Sequence, residues 1–124
     1  MSEKLIRITK FNISLNSILG TSFTDFYVYR SKGLMTHLLN RNHYISAKYI
    51  DNLAEIIEQP DYAGYNNGTI ELVKEYKNNI FVCIKLDEKR NKHYVSTMFD
   101  IKSAKIESYV SSGRLVRIKQ SDHA

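Results

Sequence analysis

The hydrophobic period of this chain changes once, at its only proline. Before Pro60 apolar residues recur at helical spacing. Between residues 31 and 41 the pairs Leu34/Leu38 and Met35/Leu39 stand four apart and define a buried stripe. Further on, Ile50, Leu53, Ala54 and Ile57 share one helix face, while Asp51, Glu55 and Glu58 point away from it. Ser46 is a suitable N-cap for that second helix and Pro60 stops it. After Pro60 the period falls to two. Residues 69–76, 80–86 and 93–99 read as strands, separated by Asn78-Asn79 and by the charged run from Asp87 to Lys92. Short strands at 5–8 and 26–29, short helices at 13–19 and 102–110, and a last strand at 115–118 complete the reading. Helices first and a meander of strands afterwards predict an α+β fold, with N-terminal helices packed on one face of a twisted antiparallel sheet.

Size and charge narrow the class further. A chain of 124 residues with 43% hydrophobic residues favours a single core. Residues 1–118 are read as one domain and 119–124 as a disordered tail. No run approaches the roughly 20 apolar residues of a membrane span, and MSEKLIRITK lacks the apolar stretch of a secretion signal. The lone Cys83 suits a reducing compartment, so a cytoplasmic location without membrane contact is expected. The net charge of +5 is uneven: residues 1–50 carry seven basic and two acidic side chains, residues 51–100 six and nine, and residues 101–124 five and two. If the fold joins the basic ends, Arg30, Lys32, Arg41, Arg114 and Arg117 offer phosphate contacts to a polyanion such as RNA.

Strand parity assigns the faces of the hairpin. If Leu86 and His93 flank it symmetrically, Ile80, Val82, Ile84, Leu86, Val95, Thr97 and Phe99 face the helices. Phe81, Cys83, Lys85, Tyr94, Ser96 and Met98 then form the opposite, mixed polar and aromatic face. One bulge would exchange the sets on one strand, so parity leaves open whether Ser96 or Thr97 faces the cleft.

Few residues in this chain suit chemistry. His37 precedes Arg41 by four, so a helix sends both from the same side, an acid-base group beside a phosphate clamp. His43 follows in the Arg41-Asn42-His43-Tyr44 loop, where the backbone can aim it at the same place. The alternative for both is an ordinary, partly exposed polar role. His93, beside the charged hairpin, reads as structural or solvated, and His123 lies in the tail. No histidine spacing, thiolate pair or acidic cluster matches a metal site, and no Gly-rich phosphate loop or G-x-S-x-G turn is present, so neither metal nor cofactor is expected. Cys83 reads as a packed thiol. Metal-free RNA cleavage asks for little: the 2′-hydroxyl is the nucleophile, and the protein supplies a base, an acid and donors to the phosphorane. Among nine tyrosines, Tyr44, Tyr62, Tyr65 and Tyr94 are candidates to stack on unpaired bases.

The order of several segments also resembles one family. His37 through His43, Pro60-Asp61-Tyr62, the segment from Thr69 to Lys74, the segment from Ile84 to Arg90, and the segment from Tyr94 to Asp100 are together similar to the phage-associated branch of the barnase, EndoU, colicin and RelE-like (BECR) nucleases. The resemblance spans nearly the whole chain. It implies a helix-then-sheet fold and a metal-independent endoribonuclease, in domains found free or attached to phage and toxin polypeptides. By matching position it places the family's histidines on His37 and His43, its Val-x-Thr strand on Val95-Ser96-Thr97 and a basic strand position on Lys85. The resulting expectation is RNA cleavage to a 2′,3′-cyclic phosphate, with His43 as base and His37 as acid, or the reverse. Arg41, Lys85 and Thr97 or Ser96 hold the phosphate, while Arg30, Tyr44, Tyr94 and Arg114 bind substrate. RNA, tRNA included, is the expected substrate, and an acidic immunity or antitoxin protein the expected restraint. A non-catalytic RNA-binding module and a phage structural or interaction domain on the same fold are the rival readings.

Overall fold

The computed structural model of the protein describes residues 4–118; the tail assigned to 119–124 lies outside them. The elements run β1 (Leu5–Lys10), α1 (Asn16–Leu19), β2 (Tyr27–Ser31), α2 (Leu34–Asn40), α3 (Tyr44–Ala47), α4 (Leu53–Glu58), β3 (Tyr62–Asn66), β4 (Thr69–Glu75), β5 (Asn79–Asp87), β6 (Lys92–Asp100), α5 (Ser103–Ser111) and β7 (Val116–Arg117), with 3-10 turns at Ile13–Leu15 and Ile50–Asn52. All seven strands join one sheet in the order β1-β2-β6-β5-β4-β3-β7. Every neighbouring pair is antiparallel except β2 and β6, which run parallel. The fold is therefore α+β and opens on the strand read at 5–8, but the sheet is mixed where an antiparallel one is expected, and the helices of the first half alternate with strands instead of preceding the sheet.

Two apolar clusters divide the sheet by face. Val28, Ile70, Leu72, Ile80, Val82 and Ile84 share one cluster with Leu15, Leu34, Leu38, Leu53, Ile56 and Ile57 from the helical segments. Tyr62, Val73 and Phe81, which alternate with those strand residues, pack instead with Ile106 of α5 and with Leu115. Helices thus occupy both faces. The expectation of a single covered face fails because α5 folds back over one end of the second.

Local departures have local causes. Leu34 and Leu38 are buried, but Met35 and Leu39 are 37% and 43% exposed, so a seven-residue helix at the sheet margin buries one i,i+4 pair and not two. The helix expected from Ser46 to Pro60 is broken at Ile50–Asn52, and Ser46 lies inside α3 rather than at an N-cap. Its buried hydroxyl donates to the Met98 carbonyl at 3.0 Å, with the His43 carbonyl at 3.2 Å sharing the proton. This fastens α3 to β6 along a stretch where β2 no longer pairs with that strand. β3, unpredicted from its Tyr-Ala-Gly-Tyr-Asn sequence, joins β4 through Asn67-Gly68, whose φ values of 52° and 76° suit a two-residue hairpin turn.

A bulge settles the parity of β6. Cys83 stands opposite Thr97 but Ile84 opposite Val95, leaving Ser96 as the extra residue. Val95 and Met98 consequently face the larger cluster, whereas Thr97 and Phe99 move to the face of Phe81, Cys83 and Lys85. The faces expected for Thr97, Met98 and Phe99 are exchanged, and Thr97 joins the open side.

Leu53 is 1% exposed at the start of α4. Leu53→Ala should therefore cost about 2–5 kcal/mol, read as a fall in melting temperature by circular dichroism. Asp51→Ala, two residues earlier on the exposed side, should change stability by less than about 0.5 kcal/mol.

Candidate active site

The parallel contact between β2 and β6 lasts two residues, Val28 opposite His93 and Tyr29 opposite Tyr94. Beyond it β2 ends at Ser31, whose hydroxyl accepts from the Gly33 amide at 2.8 Å, and the chain turns into α2 while β6 runs on. A crevice of about 320 Å³ opens where the paths part, in the place where parallel strands commonly leave room for ligands. Its walls include Ser31, His37, Asp87, Arg90, Tyr94 and Ser96. Three expected site residues, His37, Tyr94 and Ser96, meet there. Ser96 is held by its own bulge, its hydroxyl donating to the Cys83 carbonyl at 3.3 Å. Arg90 stands 3.4 Å from Asp87 across the hairpin turn. An imidazole, hydroxyls and a guanidinium in one crevice can exchange a proton and hold an anion.

The remaining expected residues are distributed around it. Asn42, with φ of 61°, turns the chain sharply after α2 and sets His43 just before α3. The His43 ring lies 6.0 Å from that of Phe99, so it flanks β6 further along, outside the lining of the crevice. Thr97 stands between, on the open face. Lys85 is opposite Tyr94 on that same face. Arg41 and Tyr44 are exposed at the α2–α3 turn, where the Tyr44 hydroxyl donates to Asn42 at 2.7 Å. Arg30 alternates with Tyr29 and Ser31 and so leaves β2 on the other side, its guanidinium donating to the Ser31 carbonyl at 3.2 Å. Tyr62, expected as a base-stacking candidate, is buried, its hydroxyl accepting from Arg117 at 2.6 Å.

Arg114 belongs to a second polar centre, which the sequence did not reveal. It makes a two-pronged pair with the buried Glu71 at 2.9 and 2.6 Å, and Asn66 donates to the same carboxylate at 2.9 Å. Its guanidinium also lies 4.1 Å from the Tyr109 ring centre. Two glycines make this possible. Gly113, at φ of 83°, reverses the chain after α5, and any Cβ on Gly64 would come within 2.0 Å of the Arg114 carbonyl oxygen. The hydrogen bonds it donates to Glu71 push the guanidinium above its ordinary range. Glu71, Cys83 and Thr97 occupy matched positions on three adjacent strands, so this centre shares the open face with Thr97. Burial, then the Glu71 charge, pushes the Cys83 thiol up to about 11. Among the described residues no three His, Cys, Asp or Glu side chains gather as a metal site would require, and no helix is long and apolar enough to cross a membrane.

A family model described as phage-Barnase-EndoU-ColicinE5/D-RelE like nuclease3 matches residues 6–108, which include every element from the first strand into α5. No curated protein and no solved structure matches the chain.

His93 has a structural setting, its ring stacked on Phe26 at 3.7 Å and edge-on to Phe23 at 5.7 Å. Burial lowers its pKa from 6.5, so the unfolded chain takes up this proton first as pH falls. The contribution of the neutral stack is complete above that value and is lost below it, down through the folded value. The melting temperature should therefore fall as the pH drops below 6.5, and His93→Phe, which keeps a ring without a titrating nitrogen, should reduce that fall.

Proposed function

Because the chain belongs to this phage-associated family of BECR-like nucleases, we propose that it is a metal-independent endoribonuclease working at the split between β2 and β6. The observation that carries the reading is the meeting of His37 with Tyr94, Ser96 and Arg90 in one crevice. The scissile phosphate rests over the bulged Ser96-Thr97 segment. A base takes the proton of the 2′-hydroxyl, the 2′-oxygen attacks phosphorus, and an acid protonates the departing 5′-oxygen. The products are a 2′,3′-cyclic phosphate and a free 5′-hydroxyl, and neither a metal nor water enters this step.

His37 approaches the segment from α2, and His43 from the α2–α3 turn beside Phe99. Ser96 and Phe99 are about 10 Å apart along a strand, so two imidazoles reaching inward from these points are suited to opposite ends of an in-line displacement. Imidazole both gives and takes a proton near neutrality, which lets either histidine play either part. Tyr94, Thr97, Lys85 and Arg90 donate to the phosphate oxygens, and Ser96 joins them by turning its hydroxyl away from the Cys83 carbonyl. In this reading the substrate is RNA, tRNA included, met in the cytoplasm. The role is that of a phage- or mobile-element-associated toxin, restrained by an acidic immunity or antitoxin protein seated over the crevice.

Purified protein incubated with total RNA in excess EDTA should cut it and leave cyclic phosphate ends. Cutting that disappears in EDTA and returns with magnesium overturns the metal-free step, and tight binding without cutting favours an RNA-binding module. His37→Ala and His43→Ala should each lower the rate about 10²–10⁴-fold, and the double variant little more, because both act on one transition state. Normal rates in both variants, with unchanged circular dichroism, would falsify the assignment.

A further inference from the structure

We infer that the sheet face leading from the crevice towards β1 is a platform for an unpaired nucleic-acid strand, which restricts the protein to single-stranded substrate. The inference deepens the ribonuclease reading and rests on it for the position of the cut.

Register carries the argument. Lys85 on β5 stands opposite Tyr94 on β6, Tyr94 opposite Tyr29 on β2, and Tyr29 opposite Arg7 on β1. Residues at matched positions leave a sheet on the same face, so the four form one row, about 14 Å long at ordinary strand spacing. Tyr94 is both a member of the row and part of the crevice wall, which joins the two. The next row sets one ring between two lysines, with Tyr27 opposite Lys10 on β1 and Lys92 opposite Asp87 on β5. Cations lie against the rings: the Arg7 guanidinium is 4.5 Å from the Tyr27 ring centre and the Lys92 ammonium 4.6 Å from that of Tyr29. Lys10 is paired with Asp25 at 3.9 Å, whereas among the described residues Arg7, Lys85 and Lys92 form no ion pair.

Rings flanked by cations across four strands present both halves of a nucleotide's chemistry. The rings offer surfaces on which bases stack whatever their identity, and the cations take the phosphates between them. A four-stranded face with exposed aromatics stacks two or three bases in known RNA-binding modules. In a duplex the base faces are covered by their neighbours, so only an unpaired strand gains from the rings. Charge alone would keep an edge strand apart from other chains, and it does not call for tyrosines beside each cation.

The full chain carrying His37→Ala, which binds without cutting, is titrated with a labelled octanucleotide RNA, single-stranded and as a blunt duplex. The single strand should bind at least about tenfold more tightly, and Tyr29→Leu should weaken it about tenfold while Tyr29→Phe leaves it unchanged. Tyr27→Leu, at a ring 40% exposed, should act in the same direction without burdening the core. Lys92→Gln should lower the log-log salt slope by about 0.7. On the His37 background of the natural chain, Tyr29→Leu should reduce kcat/KM for the octanucleotide but not for a dinucleotide, which fills the crevice alone. Equal binding of duplex and single strand, or single-strand binding indifferent to both leucine variants, overturns the platform even if RNA is cut. Binding that depends on Tyr29 without any cutting by the natural chain keeps the platform and overturns the ribonuclease reading.

Discussion

The brief parallel contact of β2 with β6 is the constraint from which the rest of the molecule follows. Two parallel strands that stay paired leave no gap, and two that never meet leave no common floor. Here the floor is shared at Val28 and Tyr29 and then abandoned, because the Ser31 hydroxyl and Gly33 amide turn the chain out of the sheet and into α2. The open side of β6 is taken up by α3, and Ser46 ties the two together through the Met98 carbonyl. Since a buried backbone carbonyl needs a partner, a small hydroxyl-bearing residue at this contact replaces what a strand would have supplied.

The bulge at Ser96 acts on the same strand and serves a second end. It returns Met98 to the larger core while directing Thr97 and Phe99 to the open face, so one strand supplies packing on one side and polar groups on the other without losing register over its whole length. A regular β6 would place Met98 on the open face and Thr97 in the core, with an unpaired hydroxyl in apolar surroundings. The crevice and the aromatic row both depend on this choice, since Tyr94 lies on one side of the bulge and Thr97 on the other.

The Glu71–Arg114 pair secures the opposite half of the sheet. A carboxylate on a central strand, buried to 5% exposure, is tolerable only with its oxygens satisfied, and Arg114 and Asn66 provide three hydrogen bonds between them. The close passage over Gly64 and the reversal at Gly113 bring Arg114 there. The pair thereby fixes the chain leaving α5 against β3 and β4, and it adds a second polar centre to the face that the crevice borders.

The sequence by itself determined the elements whose evidence is local. The period change at Pro60, the alternation along β4, β5 and β6, and the four-residue spacing of Leu34 and Leu38 are consequences of side-chain direction within a single helix or strand, and they give the α+β class. The resemblance that runs through the same segments gave the nuclease family. β3 escaped this reading: Asn67-Gly68 is a hairpin signal, but the small and aromatic residues before it lack the β-branched pattern of a strand. Only the tertiary structure decided the parallel β2–β6 contact, the bulge at Ser96 and the separation of Arg114 from the crevice. It also decided that Arg7, Tyr29, Tyr94 and Lys85, spread over nearly 90 positions of sequence, form one row. Each is a pairing between residues distant in the chain, and a one-residue change of register in any of them would exchange the faces while leaving the local pattern of the sequence unaltered.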